Sequence, residues 1–360
     1  MQVCHAPDAG TLVNTTQNYV NAYDGSTTAF AAPNDLSSLM KTYYDTELLE
    51  NARPNLIHAQ FARKQPLPKG RGKKVEWRKF NTLADASALT EGVIPTGQKF
   101  GQSSMTASIL QYGTYLTVSD QLELHAIDNV ILSATEELGA SAGTTQDKLV
   151  RDTLAAGTTV QYCDKVSAAG AHTAVETRAG MDATSKLTPT EVNKAVTTLK
   201  KLKAPTINGK YVAIIHPSVS YDLRENKEWI EAHKYAAVTP LFTGEIGELH
   251  GVRFIETTEA KIWNNNTCPV KTAAGSGGTP AATYYSVYST LFLGKDAFGM
   301  IDPEGGGLEM IVKSKEQAGG PLNQFSTLGY KFSTATKILY QDRMVRVESL
   351  SEYSGTDEAN

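Results

Sequence analysis

The sequence predicts an α+β protein that has more than one domain and a long extended arm. Three observations lead to this prediction: an arm-like stretch over 63–118, a long amphipathic helix that begins near Asp120, and helices alternating with strands over 188–312. At 360 residues the chain is long for a single hydrophobic core, so we expect two or three domains.

The N-terminal part of the chain is polar. Residues 1–35 contain Gly, Asn, Thr and Ser throughout, which predicts an extended arm with few internal contacts. From Asp35 to Leu56 apolar residues recur at helical spacing, and Pro54 marks the end of this first helix or a kink in it.

The stretch from Arg63 to Val118 reads as a hairpin that has no core of its own. Lys73 to Phe80 and Ser104 to Val118 alternate like strands, and the loop Asn81 to Ser103 suits neither a helix nor a core. Structureless loops of this length are uncommon inside compact domains, and an isolated two-stranded hairpin is only marginally stable in water. We therefore expect the arm to be ordered by a partner, most simply another copy of the chain.

The charge distribution favours the same interpretation. Residues 63–79 contain eight basic residues against one acidic residue, Glu76, although the whole chain has a net charge of −4. A basic arm on an acidic body suits pairing between copies, where exposed ion pairs worth about 0.2–1 kcal/mol orient the partners rather than hold them. Two alternatives stay open: a solvated charged loop, and a nucleic-acid-binding segment whose basic residues neutralise phosphates.

We predict ten contact residues between copies on this arm, chosen for positive charge or aromatic character. They are Arg71, Lys73, Lys74, Trp77, Arg78, Lys79, Phe80, Phe100, Tyr112 and Tyr115. For the aromatic members, packing within the hairpin itself is an equally open interpretation.

A long helix follows the arm. Ser119 is the predicted N-cap, and apolar residues recur at steps of three and four from Asp120 to about Ala156, which places them on one helical face. A helix of this length can form the spine of a domain.

A smaller α/β unit is predicted over 188–312. Thr188, Pro189 and Glu191 are a typical helix start, and the helix should run to Ala204 with an inward face of Val192, Ala195, Val196, Leu199 and Leu202. Ser218 is the predicted cap of a second helix that continues through His233. The predicted strands are Tyr211 to Ile215, Val252 to Ile255, Tyr284 to Leu293 and Leu308 to Val312.

The last elements are predicted as a hairpin. Tyr330 to Tyr340 and Arg343 to Glu348 alternate like strands on either side of Gln341-Asp342. This hairpin and the spine helix, far apart in sequence, would together form the second domain.

The sequence carries no motif that indicates catalysis. It has no phosphate-binding loop, no G-x-S-x-G serine motif and no paired Cys or His spacing for a metal, so we predict no cofactor and no metal site. The seven histidines are scattered singly. A remote alternative is an oligomeric enzyme whose lid is 81–103 and whose base is His216 or His250.

Cysteine content and hydropathy indicate the cellular compartment in which the protein folds. Cys4, Cys163 and Cys268 are few and widely spaced, and no secretory signal pattern begins the sequence, which favours reduced thiols in a cytosolic setting. No apolar stretch approaches about 18 residues, so no membrane span is predicted.

The order of parts resembles the major capsid proteins of tailed bacteriophages, whose fold is shared with encapsulins and the herpesvirus capsid floor. Local strings resemble one branch of these sequences. They are Tyr44-Asp45-x-x-Leu48-Leu49-x-x-Ala52-x-Pro54, Gly92-Val93-x-Pro95, Leu293-Gly294-Lys295-Asp296-Ala297-Phe298-Gly299, and Gly329-Tyr330-Lys331 leading to Arg343 and Arg346.

The resemblance implies the tailed-phage major capsid protein fold with five parts. They are an N-terminal arm and first helix (1–59), an extended hairpin loop (60–117), a peripheral domain with the spine helix (118–186), an axial domain (187–325) and C-terminal strands that return to the peripheral domain (326–360). It further implies a non-enzymatic subunit that assembles into hexamers and pentamers of an icosahedral shell around double-stranded DNA.

The resemblance also implies partners and a location. The chain would pair with itself, with separate scaffolding and portal proteins, with a possible decoration protein, and with DNA through non-specific contacts. It would be found in the virion after assembly in the host bacterial cytoplasm. An encapsulin-type compartment around cargo enzymes is the main alternative, and particle content distinguishes the two.

Overall fold

The computed structural model describes most of the chain. The described residues are 18–20, 27–29, 57–70, 72–80, 83, 85–86, 88, 91–92, 94, 97–125, 130–167, 170–234, 245–272, 283–313 and 324–360. The helix predicted from Asp35 to Leu56 and the predicted contact residue Arg71 lie outside these ranges.

The described strands and helices follow one another in a mixed order, as the predicted α+β class requires. The strands are β1 (Asn18–Val20), β2 (Thr27–Ala29), β3 (Arg63–Leu67), β4 (Lys74–Phe80), β5 (Gln102–Ser108), β6 (Leu110–Ser119), β7 (Val160–Tyr162), β8 (Lys165–Val166), β9 (His172–Thr173), β10 (Tyr211–Ile215), β11 (Glu245–Leu249), β12 (Val252–Glu256), β13 (Ile262–Trp263), β14 (Val270–Thr272), β15 (Thr283–Tyr284), β16 (Val287–Leu293), β17 (Phe298–Pro303), β18 (Glu309–Lys313), β19 (Phe325–Ile338) and β20 (Met344–Ser349). The α-helices are α1 (Asp120–His125), α2 (Val130–Ala155), α3 (Pro189–Lys201), α4 (Pro217–Glu225) and α5 (Lys227–Lys234).

The chain divides into two compact units. Unit 1 comprises Met1–Arg53, Gly113–Ser141 and Glu309–Lys331, and unit 2 comprises Pro54–Tyr112, Ala142–Leu308 and Phe332–Asn360. These boundaries do not coincide with the five parts that the family resemblance implies, and that five-part division stays a prediction.

Unit 1 contains an antiparallel strand pair and the start of the spine helix. Strand β18 pairs with the first half of β19, from Glu309 opposite Lys331 to Lys313 opposite Thr327. Ser119 caps α1 as predicted, because its Oγ accepts a hydrogen bond from the Leu122 backbone N–H at 3.4 Å.

Unit 2 contains a central sheet of mixed direction. Its strand order is β11-β12-β10-β16-β20-β7, with β13 also paired to β16. Strands β10, β16 and β20 are buried along their whole length. Their side chains point to two separate layers of core, one formed with α3, α4 and α5 and the other with the end of α2.

Helix α3 packs on this sheet largely as predicted. Its inward residues Val192, Ala195, Val196 and Leu199 are buried, whereas the C-terminal Leu202 is 41% exposed, contrary to the prediction. Thr188 is the N-cap residue and Pro189 begins the helix, as predicted. The Thr188 side chain makes no capping hydrogen bond, and the carboxylate of Glu191 interacts with Gln161 and Lys194.

The second predicted helix is two helices. Its N-cap is His216, whose Nδ1 accepts a hydrogen bond from the Ser218 backbone N–H at 3.2 Å, so the prediction of Ser218 as the cap is wrong. Asn226 adopts an extended conformation at the end of α4, and α5 begins at the next residue.

The predicted C-terminal hairpin is wrong. Strands β19 and β20 are separated by the short helix Gln341–Arg343 and do not pair with each other. Instead β20 pairs with β16 in antiparallel and β7 in parallel orientation, while the second half of β19 pairs with β17. Because β20 is buried on both faces, it fits the middle of a sheet better than an exposed hairpin.

Candidate intersubunit surface

The extended hairpin consists of β4 and β5, which pair in antiparallel register from Lys74 opposite Ser108 to Phe80 opposite Gln102. Successive side chains of a strand point to opposite faces, and directly paired residues share a face. Val75, Trp77, Met105 and Ala107 therefore lie on one face of the hairpin, and Lys74, Glu76 and Arg78 lie on the other. We call the first the inner face and the second the outer face.

The inner face is anchored to the chain's own core at the base of the hairpin. Val75, Trp77 and Ala107 are buried in a cluster whose other fully buried members are Ile301, Ala335 and Leu339. Trp77 is only 8% exposed. The prediction that the arm has no core of its own is therefore wrong for its base, and Trp77 has little surface left to offer a neighbouring copy.

A glycine in β17 makes room for this anchor. A Cβ placed on Gly299 would lie 3.2 Å from Cζ2 of Trp77 and 3.1 Å from Cδ1 of Leu339. Any side chain at this position would press against the indole ring, so the absence of a Cβ determines how closely Trp77 approaches β17.

The chain that enters the hairpin is also fixed. His58 is fully buried, and its backbone N–H and its Nδ1 both contact the carboxylate of Asp147 on α2, at 2.8 and 2.6 Å. This buried contact ties the residues before β3 to the spine helix.

Lys79 continues the inner face beyond Trp77. Its Nζ lies 3.6 Å from Oδ2 of Asp342 and 4.8 Å from the centre of the Tyr340 ring. This predicted contact residue therefore interacts with its own chain, through an ion pair and a cation–π contact.

The outer face is polar and carries net positive charge. Lys74 and Arg78 are exposed, as is Lys73 just before the strand, and the single acidic residue Glu76 lies 3.4 Å from Nε of Arg78. Ser104, Thr106 and Ser108 complete this face from β5, and all three are exposed. The predicted basic contact residues Lys74 and Arg78 thus share one accessible surface, and Lys73 is exposed just before it.

Beyond the anchored base the hairpin exposes an aromatic pair. The rings of Phe80 and Phe100 stack with centroids 4.8 Å apart and an angle of 18° between their planes. They are 57% and 65% exposed, and Leu83 and Ile94 in the loop between them are 53% and 93% exposed. We call these four residues the apolar tip. Exposed apolar patches mark interaction sites in soluble proteins, so the exposed aromatic stack is a candidate contact.

The two predicted tyrosines each lie beside a residue of their own unit. Tyr112, in unit 2, stacks on Phe332 with ring centroids 5.7 Å apart. Tyr115, in unit 1, is 70% exposed beside Gly329, where an added Cβ would lie 2.8 Å from Cβ of Tyr115. Among the predicted aromatic residues, the structure brings Phe80 and Phe100 into contact with each other.

The sequence prediction missed Leu83 and Ile94. A signal was present: large apolar residues occur without strand or helix periodicity in a stretch that is otherwise polar. Apolar residues that cannot be assigned to a core are candidates for a partner's surface.

The two histidines considered for an enzyme have other surroundings. His216 caps α4, and burial lowers its pKa although the nearby Asp357 carboxylate opposes this shift. His250 lies in the turn between β11 and β12, with φ of 51°. Neither lines the groove along Thr106–Ser108 and Thr334–Lys337 or the groove at Gly305 and Gly306.

The most perturbed carboxyl near His216 fixes the C-terminal segment. Burial disfavours the ionised form of Asp357, but hydrogen bonds from Ser354 and from the Tyr288 hydroxyl, the latter at 2.6 Å, outweigh it and lower the pKa of Asp357. Burial in turn raises the pKa of Tyr288. These bonds attach residues 354–357 to β16.

One group of side chains has the donor types of a metal site: Asp164, His172 and Glu191. It lies in unit 2, outside the hairpin. Among the described helices, none combines the length and apolar character needed to cross a bilayer.

A sequence family described as phage capsid protein matches residues 102–331. No curated protein matches the chain in sequence.

Solved structures show the same fold. The capsid structure of the cyanophage P-SCSP1u matches with a TM-score of 0.57 at 16% identity, covering 95% of this chain and 100% of that one. The capsid of Ralstonia phage GP4 gives 0.60 at 12% identity over 87% of this chain and 95% of that one. The cyanophage Pam1 capsid gives 0.60 at 12% identity over 86% and 96%.

Proposed function

Because the chain belongs to the phage capsid protein family and is a subunit of a phage shell, we propose that its copies form the hexamers and pentamers of an icosahedral shell around double-stranded DNA. We further propose that the hairpin is the contact through which one copy holds the next. The observation that carries this proposal is the apolar tip, exposed on a hairpin whose base is buried in its own chain.

The division of the hairpin into base and tip suits assembly. The buried base fixes the direction in which the hairpin leaves unit 2, so little conformational freedom is lost when the tip binds. Phe80 and Phe100 are stacked before any partner arrives, and pre-ordered aromatic residues are typical centres of binding energy at interfaces.

The positive charges on and beside the outer face would orient the neighbouring copy as it binds. Lys73, Lys74 and Arg78 offer positive charge to a neighbour whose remaining residues are net acidic. Exposed charges of this kind raise the association rate and select the orientation, and they add little to the final affinity. The tip would then provide most of the contact energy.

Each subunit of a closed shell contacts several others, so individually modest contacts become strong together.

The proposal also includes the five-part division of the chain, with boundaries at residues 59, 117, 186 and 325. It further includes scaffolding, portal and possible decoration proteins as partners, non-specific contacts with DNA, and assembly in the host bacterial cytoplasm. Packaged DNA in purified particles, rather than cargo enzymes, would separate this function from an encapsulin-type compartment.

The direct test removes three of the four tip residues, leaving Phe80, and keeps the base. Residues 81–101 are replaced by a short Asn-Gly turn, which closes β4 and β5 at the Phe80–Gln102 pair. We expect a folded protein, because Val75, Trp77 and Ala107 stay in place, and we expect no shells or capsomer sheets by electron microscopy.

The control is the full-length chain purified and imaged under the same conditions. Normal shells from the shortened variant would refute the role of the hairpin while leaving the family assignment intact. Failure of the full-length chain to form any particle, with or without its scaffolding protein, would refute the shell proposal itself.

A further inference from the structure

Three side chains with metal-binding donors converge on the surface of unit 2, far along the chain from the hairpin. Asp164 follows β7, His172 lies in β9, and Glu191 lies in the first turn of α3. One donor atom from each lies within 4.8 Å of the donor atoms of the other two. The spacing of these residues in the sequence does not predict the group, because its members come from three separate parts of the chain.

The donors suit a particular class of ion. Two carboxylates and one imidazole resemble the three protein ligands of open Zn²⁺ sites, which leave a fourth position for water. Ca²⁺ and Mg²⁺ prefer sites made only of oxygen ligands. Tetrahedral Zn²⁺ would need donor atoms about 3.4 Å apart, so small side-chain rotations would close the site.

Glu191 is already oriented for such a role. Its side chain is 2% exposed, and Gln161 Nε2 donates a hydrogen bond to its Oε2 at 2.7 Å. The same amide nitrogen also donates to the backbone oxygen of Glu191 at 3.1 Å. A ligating carboxylate is usually held by such an outer hydrogen bond, and a cation beside it compensates part of the cost of burying its charge.

A cation does occupy this position in the structure, in the form of the Lys194 ammonium group. Its Nζ lies 2.7 Å from Oδ2 of Asp164 and 3.3 Å from Oε1 of Glu191. The Lys194 side chain is 46% exposed, so its ammonium group can turn toward solvent when a metal ion takes its place.

We propose that Asp164, His172 and Glu191 form a binding site for a divalent transition-metal ion of the Zn²⁺ class, with Lys194 as the internal competitor that occupies the site when the metal is absent. The metal would connect His172 of the β8–β9 pair to Glu191 of α3. It would thereby stabilise this part of unit 2 against unfolding.

The test measures Zn²⁺ binding to the full-length chain by titration calorimetry. Cys4 and His5 are first replaced by Ser and Ala, since these adjacent residues could bind zinc themselves. We expect one Zn²⁺ per chain, no comparable binding of Ca²⁺, and a rise in the thermal unfolding midpoint that a chelator reverses.

Two variants then move the affinity in opposite directions. His172→Ala, at an exposed position, should weaken Zn²⁺ binding at least tenfold, the scale on which lost supporting groups act at metal sites. Lys194→Met should strengthen it, because the competing ammonium is removed. His250→Ala, a histidine on another turn of unit 2, is the matched control and should change nothing. Circular dichroism checks that each variant is folded.

Three results would overturn the proposal. The first is no Zn²⁺ binding to either the background protein or its Lys194→Met variant. The second is binding that survives His172→Ala or falls equally with His250→Ala, which would indicate only adventitious surface sites. The third is weaker binding in a folded Lys194→Met variant, because the lysine would then support the site instead of competing for it.

Discussion

The base and the apolar tip of the extended hairpin are built from the same two strands but have opposite environments. At the base, Trp77 is 8% exposed against Ile301, Ala335 and Leu339. Three residues further along the same strand, Phe80 is 57% exposed. About 10 Å of strand separates an aromatic residue that serves folding from one that is available for assembly. Substitutions at the two ends should therefore affect different measurements.

Trp77→Ala should have the largest effect on folding. Removing a buried indole leaves a cavity against three buried apolar residues, and such substitutions typically cost about 3–5 kcal/mol. We expect the free energy of unfolding, measured in urea, to fall by an amount in this range. Phe80→Ala in the same strand is the control and should lower it by less than about 1 kcal/mol. Equal losses for the two variants would contradict the division into base and tip.

Gly299→Ala should destabilise the base from its other side. The added methyl group would meet Cζ2 of Trp77 at 3.2 Å and Cδ1 of Leu339 at 3.1 Å, closer than ordinary contacts. Overpacking of this kind costs about 1–3 kcal/mol. We expect the loss to shrink when the substitution is made together with Trp77→Ala, because the smaller side chain removes one of the two clashes.

A double-mutant cycle measures that coupling. If the costs of Gly299→Ala and Trp77→Ala add without interaction, the contact between β17 and the indole is not what limits the space at Gly299.

The hairpin also shows how far its sequence determines its structure. The alternation in Lys73 to Phe80 correctly predicted a strand, because alternation reports which residues share a face. It could not report that Val75 and Trp77 face Ile301, Ala335 and Leu339, which lie more than 200 residues later. Trp77 and Phe80 are therefore both predicted from the sequence as contacts between copies, although the structure buries Trp77.

The predicted pairing of the two C-terminal strands is wrong for a related reason. The sequence shows two alternating segments around Gln341-Asp342, and neighbouring segments usually pair. The pairing partner of β20 is instead β16, with Tyr288 opposite Ser349 and Leu293 opposite Met344. Strand length and alternation do not identify a distant partner, so this part of the fold required the structure. The proposed zinc ligands escaped the sequence prediction in the same way.

Substitutions in the apolar tip should affect assembly strongly and stability little, the opposite of substitutions at the base. Phe80→Ser together with Phe100→Ser removes the exposed aromatic stack, and we expect less than about 1 kcal/mol change in the free energy of unfolding, because exposed substitutions cost little. Aromatic centres of interfaces are worth about 2 kcal/mol or more each, and every subunit would lose the contact. Shells should be absent by electron microscopy at concentrations where the unmodified chain assembles.

Leu202→Ser together with Ile230→Ser is the matched control for the tip. These residues are 41% and 44% exposed; Leu202 directly follows α3 and Ile230 lies in α5 of unit 2. If this pair abolishes assembly as fully as the phenylalanine pair, general loss of apolar surface explains both results and the tip has no special role.

The smallest expected effect belongs to the outer face, and it concerns rate. Lys74→Glu together with Arg78→Glu reverses two exposed charges while leaving the buried inner face unchanged. Exposed charges mainly steer association, and their field is screened within about 10 Å at 0.1 M salt. Light scattering should show slower initial assembly at low salt, with the difference shrinking as salt approaches about 1 M, where the screening length is about 3 Å.

Lys200→Glu together with Lys201→Glu on α3 makes the same change in net charge at exposed positions. If that control slows assembly equally, net charge rather than the hairpin's outer face controls the rate, and the basic segment is then only a solvated surface.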